Sequence, residues 1–310
     1  MDPARFDGFV RVLGAARTRR AVLGTLLAGA VVPLLDGEDA GAGRRGKRGK
    51  RRQRRVAAPQ APQAGACDVC EKDCQFSSVQ AAMDAANAGD TIRICAGTYK
   101  SNPTLYTNKS LTLAGAGADE TVLKGGGFVR VFMVGPSAAV TLRDLAIEGG
   151  LEQQKQRGGG AGILILDRGS LTLERCLVER NVATEGGGIV VSKGSTLTAI
   201  DSEISGNTAS AIGAGLVVRE GGKATLEGST RVGDNNVNVW GGGIYTVGEL
   251  TVKSSVRIDR NKAGGHGGGI FAARPGAATF ETGSLVTDNK AAQGGGGLFN
   301  DRAPVTLADT

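Results

Sequence analysis

The sequence predicts an all-β fold, a right-handed parallel β-helix entered through a short capping helix, and three observations carry that reading. A glycine block recurs six times: Gly160-Ala-Gly-Ile163, Gly186-Gly-Gly-Ile189, Gly213-Ala-Gly-Leu216, Gly241-Gly-Gly-Ile244, Gly267-Gly-Gly-Ile270 and Gly295-Gly-Gly-Leu298. An asparagine column, Asn181, Asn207, Asn235, Asn261 and Asn289, runs in phase with it at spacings of 26, 28, 26 and 28 residues. The composition agrees: 51 Gly but only 1 Trp, 3 Tyr and 8 Phe in 310 residues. There is no Gly-X-Y period, which excludes collagen.

Residues 1–43 read as an export address. Arg19 and Arg20 precede an apolar stretch from Ala21 to Leu35 that is interrupted by Gly24, Gly29 and Pro33. A membrane span needs about 20 apolar residues, so this run is too short for one. Ala40-Gly41-Ala42 offers a small-residue cleavage site. The paired arginines match a twin-arginine signal, so no transmembrane segment is expected in the mature chain.

Residues 44–66 read as a disordered linker, basic and then rich in Pro, Gln and Ala. The formal charge of +7 is concentrated there: nine of the twelve residues from Arg44 to Arg55 are basic. Residues 1–43 balance five Arg against five acids, which leaves 7 − 9 = −2 for residues 56–310. A near-neutral folded body argues against a nucleic-acid partner.

The ordered region, residues 67–310, opens on Ser77-Ser-Val-Gln80, which has the form of a capping box. Val79, Ala82, Met83 and Ala86 then form one apolar helical face, and Asn87-Ala-Gly89-Asp90 stops the helix. Thr91 to Cys95 reads as the first strand. Three irregular rungs are expected around residues 109–113, 131–134 and 140–147, and residues 152–157 as a loop ejected from the stack. In the regular region, a repeat of about 27 residues without helical periodicity must consist of short strands and turns. One coil per repeat stacks like on like at the sheet spacing of about 4.8 Å. Stacked Ile and Val would fill the bore, and the asparagines can hydrogen-bond up and down the stack as amide ladders do. Pro304-Val-Thr-Leu307 begins a further rung, so the solenoid is expected to be incomplete at its C-terminus.

The Gly-Gly-Gly-(Ile/Leu) and (Val/Ile)-x-x-Asn motifs resemble the repeats of the polymorphic outer membrane protein family, with Val or Ile where that family has Phe. More widely, residues 74–310 resemble bacterial secreted β-helix proteins of the pectin-lyase-like superfamily, and residues 77–99 its N-terminal cap. This resemblance implies secretion to the exterior or surface of a prokaryotic cell. It admits polysaccharide lyase or glycoside hydrolase activity, with clustered Asp, Arg and Lys on one outer face.

No residue takes a catalytic, cofactor-binding or metal-binding assignment. Glu179, Arg180, Asp234, Asp259, Arg260 and Asp288 stack beside the asparagine column and form the best candidate face. His266, within Gly264-Gly-His-Gly-Gly268, has no evident partner for nucleophilic work. Cys67, Cys70, Cys74 and Cys95 could be zinc ligands, but after export disulfides are expected. The expected pair is Cys74–Cys95, with Cys67–Cys70 second and Cys176 left over beside the bore. The reading is an envelope or extracellular scaffold that binds glycans or other envelope polymers, the alternative being a pectin-lyase-like lyase or hydrolase. No oligomeric state can be read from the sequence.

Overall fold

The structure is a computed structural model that describes residues 67–127, 129–152 and 158–308. The export segment and linker, and most of the expected ejected loop, lie outside those residues. The described chain is a right-handed parallel solenoid with a single short helix. Four parallel sheets run along it. In rung order, sheet 1 has eight strands from Leu105–Thr107 to Leu298–Asp301, and sheet 2 has nine from Thr91–Arg93 to Val305–Ala308. Sheet 3 has eight strands from Gly97–Ser101 to Leu285–Thr287, and sheet 4 has six from Leu151–Glu152 to Lys290–Ala291.

The bore is filled as the alternating strands require. Ile163, Ile189, Leu216, Ile244 and Ile270 stack in sheet 1, Leu171, Leu197, Ala224 and Leu250 in sheet 2, and Val178, Ile204, Val232 and Ile258 in sheet 3. Each rung buries its apolar face only against its neighbours, so stability is summed rung by rung.

The two periodic columns share a physical cause. Asn235 Nδ2 donates to Ile204 O (2.9 Å) and to Asn261 Oδ1 (3.0 Å), while its Oδ1 accepts from Asn207 N (2.9 Å) and Asn207 Nδ2 (3.0 Å). The same pattern runs from Asn181 to Asn289. The glycine at the third position of the first five blocks faces this ladder. A Cβ on Gly162, Gly188, Gly215, Gly243 or Gly269 would lie between 2.8 and 3.1 Å from an asparagine Nδ2. Glycine and asparagine therefore recur together, because the ladder occupies the space that a side chain would need.

The entry differs from the sequence reading in three respects. Ser78 is the N-cap of the helix Val79–Ala85, its side chain accepting from Ala81 N, so Ser77 does not cap. Gln80 instead clamps the helix to sheet 1: its Nε2 donates to Tyr106 O and its Oε1 accepts from Tyr106 N, each at 2.9 Å. Second, residues 109–113, 131–134 and 140–147 are not three separate rungs. They supply strands to sheets 2, 1 and both 2 and 3, respectively. Third, the disulfides are Cys67–Cys95 and Cys70–Cys74, which replace the expected Cys74–Cys95 pair and its Cys67–Cys70 companion. The cause is an extra bridge at the entry. Val69 pairs with Ile94, and Cys95 N donates to Val69 O, which sets the Cys67 Cα 5.4 Å from that of Cys95. Cys70 and Cys74 then close the turn between this bridge and the helix.

Candidate functional site

Three outward surfaces stand out from the strand scaffold. The first is the flank of sheet 3 beside the asparagine corner. Arg231 lies across it, because Gly233 has no side chain: a Cβ there would meet the guanidinium at 2.1 Å. All of its nitrogens are engaged by carboxylates from three rungs. Nη1 donates to Glu203 (2.7 Å), Nη2 to Asp234 (2.6 Å) and Nε to Asp259 (2.7 Å). Arg260 forks onto both oxygens of Asp234, each at 2.9 Å, and Arg257 donates to Asp259 at 3.2 Å. Asp259 is 1% exposed. Nearer the cap, Glu148 binds Lys124 (2.8 Å) and Arg180 (2.5 Å), and Arg180 also meets Glu179.

These contacts fix the charge states. The hydrogen bond from Arg260, and then that from Arg231, hold the Asp234 carboxyl below its ordinary value against the opposing effect of burial. Burial works against ionisation of Glu148, but the hydrogen bonds from Lys124 and Arg180 outweigh it and lower that carboxyl too. Burial also pulls the Arg231 guanidinium down, and its three carboxylate partners raise it further than burial lowers it. A general acid needs a carboxyl held protonated near its working pH. Asp234 and Glu148 are driven the other way.

The second surface is the outer face of sheet 2. Its register places Thr91, Thr112, Thr141, Thr172, Thr198, Thr225, Thr251, Thr279 and Thr306 in one unbroken column, one threonine per strand. The neighbouring column varies, as Ala139, Ser170, Thr196, Lys223, Glu249 and Ala277. General preference for threonine in strands would enrich both columns, so the invariant one is selected by position. Charges along the margins are paired with each other, Lys223 with Glu249 and Lys253 with Glu227, each at 2.8 Å.

The third surface is the corner where sheet 4 turns into sheet 1. The outward column of sheet 1 runs Leu164, Val190, Val217, Tyr245, Phe271 and Phe299. A second column arches beside it, with Glu185, Ile212 and Trp240 in register and then His266 beside Gly294. Phe271 stacks on Trp240 and on Tyr245, each at 5.4 Å between ring centroids, Phe271 on Phe299 at 5.2 Å, and His266 on Phe299 at 4.2 Å. Burial, with Glu185 and Asp301 adding to it, raises the Tyr245 phenol above its ordinary value.

With this geometry established, comparison with known proteins places the fold. A family model described as a right handed beta helix region matches residues 130–307, more than half of the chain. The chain belongs to that family. Among solved structures it is similar to the deglycosylated pectin methylesterase of Aspergillus niger, with 13% identity over 81% of this chain and 87% of that one, and a TM-score of 0.38. It is also similar to the carrot pectin methylesterase, with 12% identity over 81% and 84% and a TM-score of 0.41. An ORF18 protein of Geobacillus virus E2 shows 14% identity over 74% of this chain and 57% of that one, with a TM-score of 0.27. No residue role is carried across from these three.

The structure brings together Asp234, Asp259 and Arg260 of the expected flank, and places Glu179 and Arg180 in a separate cluster around Glu148. Glu148 and Glu179 are in register on adjacent rungs, a recurrence of carboxylates that the sequence reading missed. It also missed Arg231, although Arg231 stands only three residues before Asp234, on the rung next to Arg260. The threonine column was visible as Leu-Thr-Leu and Leu-Thr-Val at the repeat spacing. The asparagines lie inside the corner, 0–1% exposed from Asn181 to Asn261, so they belong to the scaffold. Burial pushes the Cys176 thiol up to about 12, which leaves it inert. Arg19 and Arg20 lie outside the described residues. Among the described residues no cluster of His, Cys, Asp or Glu is placed to hold a metal ion, and no helix is long and apolar enough to cross a membrane.

Proposed function

We propose that the chain is an exported, extracellular scaffold that presents its long faces to glycans or other envelope polymers, binding them without turning them over. The observation that carries this reading is the threonine column. It offers a straight row of hydroxyl and methyl groups at a spacing of about 4.8 Å, matched to an extended polymer lying along the solenoid axis. Threonine hydroxyls both donate and accept hydrogen bonds, as sugar hydroxyls do. The two disulfides support an oxidising compartment, and with it the twin-arginine reading of Arg19 and Arg20.

A second reading, a polysaccharide lyase or hydrolase, is favoured by the clustering of Arg231, Asp234, Asp259 and Arg260 on adjacent rungs. Against it, every nitrogen of Arg231 is occupied by this chain's own carboxylates, so a substrate would have to displace an ion pair to reach them.

The test is a screen of the purified protein against insoluble and soluble polysaccharides, neutral and acidic, with and without calcium. Retention without release of unsaturated or reducing ends is expected. Turnover that is lost in Asp234→Asn and Arg231→Met would replace the scaffold with the enzyme, and failure to bind any polysaccharide would end both readings.

A further inference from the structure

We propose that residues 67–76 are a redox-locked plug over the entry of the solenoid, held shut by the Cys67–Cys95 disulfide and released when that bond is reduced. Nothing in this device depends on what the outward faces bind.

Thr91–Arg93 is the edge strand of sheet 2, and the plug takes the place of a preceding rung. Asp68 N and Val69 N donate to Arg93 O at 2.8 and 3.1 Å, and Cys95 N donates to Val69 O at 3.0 Å. The Asp68 carboxylate accepts from Arg93 N at 2.8 Å. Val69 is fully buried in the apolar cluster of the bore, and Phe76 packs against that cluster. An edge strand left bare presents unpaired backbone groups. These few bonds and two side chains close the entry beside the capping helix.

The two disulfides differ in what they join. Cys70 and Cys74 both lie within the plug, so their bond shapes it without tying it to the solenoid. Cys67–Cys95 spans 28 residues and joins the plug to the end of the first strand. Without that tether, a short segment with few backbone bonds and little buried apolar surface is the kind that opens locally while the rest of a fold stays closed. A cross-link across a loop keeps such a segment over its seat, and breaking it restores the entropy gained on leaving. Cys67, Cys70, Cys74 and Cys95 are all half-buried, within reach of a small thiol, whereas Cys176 is buried.

The switching step is thiol–disulfide exchange. A thiolate of a dithiol reductant attacks one sulfur of the Cys67–Cys95 bond, and the other sulfur leaves as a thiolate. The second thiol of the reductant then displaces the mixed disulfide. Two electrons and two protons pass to Cys67 and Cys95, and the dithiol becomes a disulfide. Closure is the reverse, with a disulfide-bearing oxidant taking the two electrons. The entry is therefore shut where such an oxidant prevails and open where dithiols do.

Amide hydrogen exchange on the full chain, oxidised and after treatment with dithiothreitol, reads the plug and the rungs separately. Reduction is expected to speed exchange by about tenfold or more at Asp68, Val69, Phe76 and Cys95, whose N–H groups bond within or beneath the plug. Ile163 and Ile189, which bond to the next rung deep in the stack, should stay protected. Alkylation of the reduced, folded protein should label Cys67, Cys70, Cys74 and Cys95 and spare Cys176. Cys67→Ser combined with Cys95→Ser should open the plug without reductant, whereas Cys70→Ser with Cys74→Ser should change exchange by less than about threefold. Protection at Asp68 and Cys95 that survives reduction would overturn the proposal. Loss of protection at Ile163 together with the plug, or labelling of Cys176, would make the bond a staple of the whole fold and not a lock on its entry. Equal opening in the two double variants would overturn the assignment of the lock to Cys67–Cys95.

Discussion

Each rung turns two corners that stack in the same way and carry opposite chemistry. At the corner after sheet 3 the stacked residue is Asn in five successive rungs, and its amide is used entirely within the stack. At the corner after sheet 4 the stacked residues are Glu185, Ile212, Trp240, His266 and Gly294, five residues of five kinds. At the first corner the rungs are linked through the side chain, as from Asn235 N to Asn261 Oδ1, whereas at the second backbone meets backbone, as from Gly241 N to His266 O. The contrast teaches that stacking alone does not demand a repeated side chain. Repetition is enforced only where the side chain substitutes for missing backbone partners. Where the backbone satisfies itself, the sequence is free to build a surface.

The largest test of that contrast is Asn235→Leu. The substitution keeps the volume but leaves Asn207 N and Nδ2 and Ile204 O without their present partner, while Asn261 Oδ1 keeps only its bond from Asn235 N. A buried polar group left unpaired costs about 1–3 kcal/mol. We expect a loss of about 4 kcal/mol, since neighbouring groups relax in part, read as a large fall in the urea midpoint. A change under about 1 kcal/mol would mean that the ladder is ornamental.

A matched pair of glycines sharpens the comparison. In Gly215→Ala the new methyl would sit 2.6 Å from Gly243 O and 2.9 Å from Asn235 Nδ2, atoms fixed by the ladder. Overpacking of this kind costs about 1–3 kcal/mol. In Gly294→Ala the nearest atom is His266 Nδ1 at 3.4 Å, an ordinary contact at the open corner. We expect about 2 kcal/mol for the first and less than about 0.5 kcal/mol for the second, by thermal melts of both variants.

The closed corner was legible in the sequence and the open one was not, for the same physical reason. Asn181 to Asn289 and their glycine partners recur because one interaction repeats, so alignment of the chain on itself finds them. Trp240 and His266 occupy equivalent positions without resembling each other, and His266 read as an isolated residue in a glycine turn. Only the register, which sets Tyr245, Phe271 and Phe299 in line beside them, makes them a group. The charged flank was half legible. Asp234, Asp259 and Arg260 stood beside the asparagine column, but Arg231 reaches them only because Gly233 lets its side chain fold across the sheet. The cap disulfides escaped because the pairing depends on the Val69 to Ile94 bridge, which three residues of sequence do not announce.

Trp240→Ala should show the opposite signature to Asn235→Leu. The indole is 39% exposed and touches the rest of the aromatic column through Phe271. Complete burial of a large aromatic side chain is worth about 3–5 kcal/mol on truncation. With much of the ring already in solvent, we expect a loss of about 1 kcal/mol in urea. A loss as large as that of Asn235→Leu would mean that the open corner is as structural as the closed one and that the contrast is false.

The smallest effect belongs to the flank beside the asparagine corner, and pH reads it. Asp234 is held below its ordinary value by Arg260 and Arg231, and Glu148 by Lys124 and Arg180. A carboxyl whose folded value is lowered adds stability that is present in full above its unfolded value, about 4 for these groups. That contribution is lost as the pH falls through the folded value, because the unfolded chain then binds protons that the folded chain resists. Asp234→Asn should therefore lower stability near neutral pH and converge on the wild type in acid, the gap closing below about pH 4. Chemical denaturation of both proteins from pH 7 down to pH 2 measures that gap. A pH-independent difference would assign the effect of Asp234 to its shape, and its ion pairs with Arg231 and Arg260 would then contribute nothing to holding adjacent rungs together.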